Sequence, residues 1–66
     1  MKNNIRVERA ILNISQAELA ERVQVTRQTI NAIELGKYST SAVLAMKIAR
    51  VFGKKVEEVF ELADTD

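Results

Sequence analysis

The stretch from Gln16 to Gly36 holds two short segments of helical periodicity with only three or four residues between them. This spacing constrains the fold of the 66-residue chain more than any other feature. Ser15 offers a side-chain oxygen to the free amides of a first helical turn, and Glu18, three residues on, completes a capping box. The first helix of the stretch therefore starts at Gln16. Leu19, Ala20 and Val23 form its burial stripe, while Gln16, Glu18 and Glu21 stay toward water. Val23-Gln24-Val25, with two β-branched residues, suits a turn better than a continuing helix, and Thr26 caps the next helix. At about 100° per residue, Ile30 and Ile33 project to one side of that second helix, and Arg27, Gln28, Asn31 and Ala32 to the other. Gly36 supplies the left-handed residue that closes it.

The outward face of the second helix is chemically unusual. A helix that needs only to be solvated carries Glu and Lys outside, because these are good helix formers. Arg27 is the single charge on this face, and Gln28 and Asn31 accompany it. These are the side chains whose donors and acceptors match guanine and adenine edges in the major groove, and Ala32 is small enough to admit a thymine methyl. Around this face, Gln16, Thr26 and Thr29 on the helices and Lys37 and Tyr38 beyond the helix end are candidates for contact with phosphate oxygens. Tyr38 fits a packing role equally well. Two helices at a steep angle are also a common way to build a small helical domain, so the pattern alone leaves both a groove reader and a plain packing unit open.

Three runs, Ser15-Gln-x-x-Leu-Ala, Val25-Thr-x-x-Thr-Ile and Glu34-x-Gly36-Lys37, resemble the Cro/CI-type (Xre-type) helix-turn-helix family of bacterial and phage regulators. The likeness covers nearly the whole chain and is closest to the short, single-domain members. It implies an all-α, compact five-helix lambda-repressor-like domain over residues 1–66, with the helix-turn-helix at about 16–35 and, in some members, a small terminal β-ribbon. It further implies a homodimer, a palindromic operator in double-stranded DNA, and an ion pair between Arg9 and Glu34. Without the family, Arg9 falls on the core-facing line Ile5, Arg9, Leu12, where a lone Arg is costly unless it snorkels to solvent. Glu8 departs from the pattern, since members carry an apolar residue there; a slight rotation bringing in Val7 would compensate.

Composition narrows the function classes. With no Cys and no His, the chain has no disulfide, no usual zinc set and no imidazole partner for its Ser and Thr hydroxyls, so neither catalysis nor a cofactor is expected. No signal-type apolar stretch and no run near 20 apolar residues occurs, which points to a cytoplasmic protein with no membrane role. The net charge of +1 is unevenly spread. Residues 1–55 hold all ten Lys and Arg against four Glu, whereas residues 56–66 hold five acids and no base, so a basic body adjoins an acidic tail.

Outside the central stretch, Asn3 or Asn4 is expected to cap a first helix running to about Leu12, preceded by a frayed or strand-like end. Ser39 or Thr40 is expected to cap a fourth helix that buries Leu44, Ala45, Ile48, Val51 and Phe52 and ends at Gly53. A short last helix carries Val56, Val59 and Phe60. Leu62 and Ala63 follow Phe60 too closely for all to reach one core, so Val59, Phe60 and Leu62 are expected to form a dimer patch, with Lys2 to Asn4 pairing as a strand beside Glu61 to Ala63. A chain this short buries only about 60% of its unfolded surface, and dimerisation would add to a marginal core.

The function expected is sequence-specific DNA binding by a dimeric transcriptional regulator, most simply a repressor, without a small-molecule effector domain. The competing class is a protein-interaction module, such as an antitoxin, built on the same fold.

Overall fold

The computed structural model describes residues 1–37 and 39–64, so Tyr38 lies outside the described residues. In chain order the elements are β1 (Lys2–Asn3), α1 (Ile5–Leu12), α2 (Gln16–Val23), α3 (Arg27–Glu34), α4 (Ala42–Phe52), α5 (Val56–Val59) and β2 (Phe60–Glu61).

Local chemistry sets most of these boundaries. Ser15 Oγ accepts the Glu18 amide at 3.0 Å and Glu18 Oε1 accepts the Ser15 amide at 3.1 Å, which is the capping box read from the sequence. Thr26 Oγ1 accepts from the Thr29 amide at 3.2 Å and starts α3. For α4 the capping residue is Ser41, whose Oγ accepts from the Leu44 amide at 3.2 Å, rather than Ser39 or Thr40. At α1, Asn4 occupies the cap position without a side-chain capping bond, its Nδ2 donating instead to the Glu58 carbonyl at 3.4 Å, and Asn3 Oδ1 takes the Ile5 amide at 3.2 Å. Gly36 and Gly53 adopt φ of 72° and 65°, the left-handed conformation expected after α3 and at the end of α4.

The turn between α2 and α3 is made by a residue without that freedom. Gln24 adopts φ 63°, and the amides that follow the helix return to it, Gln24 N to Glu21 O at 3.3 Å and Val25 N to Ala20 O at 3.0 Å. A side chain in this conformation costs about 1 to 2 kcal/mol, partly offset for glycine by the freedom it loses on folding. Gln24→Gly is therefore expected to stabilise the domain by roughly 0.5 to 1 kcal/mol, read as a higher urea midpoint. A lower midpoint would show that the Gln24 side chain contributes more than its backbone costs.

The core runs through the middle of the helices. Ile5, Leu19, Ile30, Ile33, Ile48 and Val59 are its most deeply buried large side chains, one or more from each helix. Within α4 the buried set is Leu44, Ala45, Ile48, Ala49 and Phe52, with Val51 only half-buried, so Ala49 takes the inward place assigned to Val51. On α1, Ile5 faces the core, but Leu12 is exposed and Val7 is 58% exposed. No rotation brings Val7 inward to compensate for Glu8.

The two ends of the chain meet in an antiparallel ribbon, with Lys2 opposite Glu61 and Asn3 opposite Phe60. The Asn4 amide extends it by donating to Val59 O at 2.8 Å. The pairing is within one chain and begins a residue earlier than the expected Glu61 to Ala63 strand. Its register is set by Phe60, because alternation along a strand lets Phe60 point into the core while Glu61 faces water. This placement corrects the expected dimer patch. Val59 and Phe60 are 1% and 7% exposed and belong to the core of their own chain, and of the three residues only Leu62, 75% exposed, lies on the surface.

Candidate nucleic-acid interface

The outer face of α3 is presented as the periodicity requires. Ile30 and Ile33 are buried, Arg27, Gln28 and Asn31 are exposed, and Ala32 is half-buried beside them. Gln28 and Ala32, one turn apart, line a shallow depression with Thr26 and Thr29 at the start of the helix. The two threonine hydroxyls lie 3.0 Å apart, so one donates to the other and a single hydroxyl proton remains for an outside acceptor. Lys37 is exposed just beyond the end of α3.

What holds α3 in place is a polar network on the side facing α1. Arg9 Nε donates to Glu34 Oε2 at 2.7 Å and Arg9 Nη2 to Glu34 Oε1 at 3.2 Å, a two-pronged pair whose side chains are 16% and 7% exposed. Arg9 Nη1 also donates to the Ile14 carbonyl at 3.0 Å. Arg9 thus neither snorkels free nor sits unpaired. It ties the end of α1 to the end of α3 and to the link before α2. A second tie comes from Asn3, whose Nδ2 donates to the Ile33 carbonyl at 2.8 Å. The Asn3 tie had no signal in the sequence, because it joins residues 30 positions apart through a carbonyl that any residue could supply.

Gln16 enters the same network. Its Nε2 donates to Glu34 Oε1 and to Asn31 Oδ1, each at 3.2 Å. Both N–H bonds of the amide are committed inside the protein, and the oxygen that remains cannot donate to a phosphate. In the structure Gln16 stands between α2 and α3, as a brace. Arg6, which the sequence reading passed over, lies on the rim of the recess formed by Arg9, Gln16, Asn31 and Glu34, and its cation is exposed there. The signal for it was its position one turn before Arg9 on α1.

Electrostatics agree with this division. The exposed cations Arg6, Arg27 and Lys37 flank α3, whereas Glu57, Glu58 and Glu61 cluster on α5 and β2. Among the described residues no group of acids suited to a metal ion occurs, and no helix is long and apolar enough to cross a membrane.

Comparison with known proteins bears on the same residues. A helix-turn-helix family model matches residues 5–59, from the first residue of α1 to the last of α5. An uncharacterized HTH-type transcriptional regulator of Methanocaldococcus jannaschii is 48% identical over 66 residues, covering all of both chains. Another, of Methanothermobacter thermautotrophicus, is 52% identical over 63 residues, covering 94% of this chain and 91% of its own. The uncharacterized HTH-type transcriptional regulator YgzD of Bacillus subtilis is 48% identical over 64 residues, covering 97% of each. With its capped helix pair, its buried α3 face and its matched length, the chain belongs to the Xre-type helix-turn-helix family of transcriptional regulators.

Proposed function

We propose that the protein is a homodimeric, sequence-specific DNA-binding repressor that recognises a palindromic operator, with α3 in the major groove. The observation that carries this reading is the outward face of α3, where the Arg27 and Gln28 side chains make no hydrogen bond within the protein and the small Ala32 stands beside them, while Arg9, Gln16 and Glu34 brace the helix from behind. Arg27 and Gln28 lie in its first turn, the part of a recognition helix that meets base edges. Thr26, Thr29, Lys37 and Arg6 surround this face and supply donors or charge toward phosphates. Such a protein acts most simply by occupying promoter DNA in competition with polymerase.

The dimer is supported by apolar surface that a monomer leaves open. Leu62 is exposed near the acids of α5 and β2, and Val43 and Met46 are exposed on α4, lining one depression with the cations Lys47 and Arg50. Opposite charges beside apolar residues suit association of two copies. Two copies of α3 on one face of B-DNA lie about one helical turn apart, roughly 34 Å. Hydroxyl-radical footprinting on a selected duplex is expected to show two symmetric protected patches at that spacing, with sedimentation giving a dimer at the same protein concentration. A single protected patch and a monomer would overturn the dimeric reading while leaving DNA binding intact.

A further inference from the structure

We propose that Asn3 is a positioning residue for DNA docking: it ties the ribbon of β1 and β2 to the closing turn of α3 and so sets where Lys37 meets the phosphate backbone. The inference rests on the DNA-binding reading above and goes beyond it, because it assigns part of the binding to a residue outside the helix-turn-helix.

The Asn3 side chain is held at both ends by backbone groups, each of which can be met in one way only. The Ile33 carbonyl only accepts, and Asn3 Nδ2 donates to it at 2.8 Å; the Ile5 amide only donates, and Asn3 Oδ1 accepts it at 3.2 Å. Turning the amide over would set oxygen against oxygen and nitrogen against N–H, so its orientation is fixed. The register of the ribbon brings Asn3 to this place. Residues directly opposite in an antiparallel pair share one face. Asn3 therefore points inward beside Phe60, while Lys2 and Glu61 are exposed to water. A slip of one residue would turn Asn3 outward and break both bonds. The Asn4 amide, donating to Val59 O at 2.8 Å, and Asn4 Nδ2, donating to Glu58 O at 3.4 Å, hold the register.

The strand meets α3 where the helix passes into the loop. Ile33 O also accepts the Gly36 amide at 3.0 Å, and the next amide, Lys37 N, returns to Ala32 O at 3.1 Å. A Cβ placed on Gly36 would lie 3.5 Å from the Met1 carbonyl oxygen, so the strand backbone passes close to the same turn. Asn3 thus grips the turn from which the exposed Lys37 extends. A ribbon of two residues per strand is marginal by itself, so its order depends on what it packs against. Order in the ribbon and order in the closing turn of α3 then rise together, and by reciprocity DNA that fixes Lys37 also steadies the ribbon.

Double-mutant cycles on the full chain test this. Asn3→Leu keeps the volume beside Phe60 and removes both hydrogen bonds. It is expected to weaken cognate and random duplexes alike by ~2- to 12-fold, the range of one hydrogen bond, and to lower the salt slope toward that of Lys37→Ala. In a Lys37→Ala background it is expected to cost little or nothing further, and in a Gln28→Ala background its full cost. An equal cost in both backgrounds would show a general loss of stability and overturn the proposal. Asn3→Asp, which keeps the acceptor for Ile5 and loses the donor to Ile33, takes the place of Asn3→Leu if that variant does not fold. Hydrogen exchange gives a reading that needs no DNA. The Gly36 and Lys37 amides are expected to exchange faster in Asn3→Leu, while the Glu18 and Thr29 amides, bonded to the caps Ser15 and Thr26, keep their rates. Unchanged exchange at Gly36 and Lys37 overturns the proposal. Added duplex is expected to slow the Asn4 amide in the wild-type chain and not in Asn3→Leu, and slowing in both or in neither contradicts the coupling. If no duplex binds while Gly36 and Lys37 exchange faster in Asn3→Leu, the DNA-binding reading has failed and the tie to α3 stands.

Discussion

Glu34→Ala is expected to remove about 3 to 5 kcal/mol of stability, which is comparable to all that a domain of this size possesses. The reason is what the change leaves behind. With the carboxylate gone, Arg9, only 16% exposed, keeps the Ile14 carbonyl at 3.0 Å and loses its two charged bonds, so a poorly solvated cation has no counter-ion. Gln16 loses one of its two acceptors at the same time, and the end of α3 is released from α1. Replacing both partners by apolar residues, Arg9→Met with Glu34→Leu, is expected to cost less than either single truncation, because no charge is stranded. Urea melts at fixed protein concentration measure this, the fixed concentration being needed if two copies associate. Small and equal losses of ~0 to 1 kcal/mol in the single variants would instead describe a solvent-screened pair.

The second large effect separates reading from docking. Gln28 is exposed in the first turn of α3 with both ends of its amide free in the structure. Gln28→Ala is expected to cost about 1 to 3 kcal/mol on the cognate site, to relax preference at one base pair per half-site, and to change binding to random DNA little. Lys37 lies beyond the helix end and brings a point charge. Lys37→Ala is expected to weaken cognate and random DNA alike and to lower the salt dependence of binding by about 1 per subunit. Fluorescence anisotropy across a salt series distinguishes the two. Equal weakening on both DNAs by Gln28→Ala, with altered base preference in Lys37→Ala, would mean that the reading face has been misassigned.

The parts of this molecule that the sequence made legible are those fixed by neighbours in the chain. The capping box at Ser15 and Glu18, the Thr26 cap, the inward Ile30 and Ile33 and the left-handed glycines after α3 and α4 each depend on a few adjacent residues. Ser39, Thr40 and Ser41 are three successive hydroxyls with similar capping ability, and only the packing of α4 selects the third. Val59 and Phe60 could not be separated from Leu62 by pattern, because the chain changes from helix to strand at Phe60 and the periodicity changes with it. The Arg9–Glu34 pair was reached through family resemblance, since 25 residues separate the partners. The Gln16 bonds to Asn31 and Glu34 span 15 and 18 residues, and nothing local distinguishes a glutamine that braces from one that touches phosphate.

The central claim is that α3 reads DNA sequence, and selection of bound duplexes from a random pool tests it most directly. A recovered consensus with two-fold symmetry, lost or degraded in Gln28→Ala at unchanged helix content, is the result this account predicts. Recovery of no sequence above the input pool by a folded wild-type protein, at a salt concentration where random DNA is still bound, would contradict it.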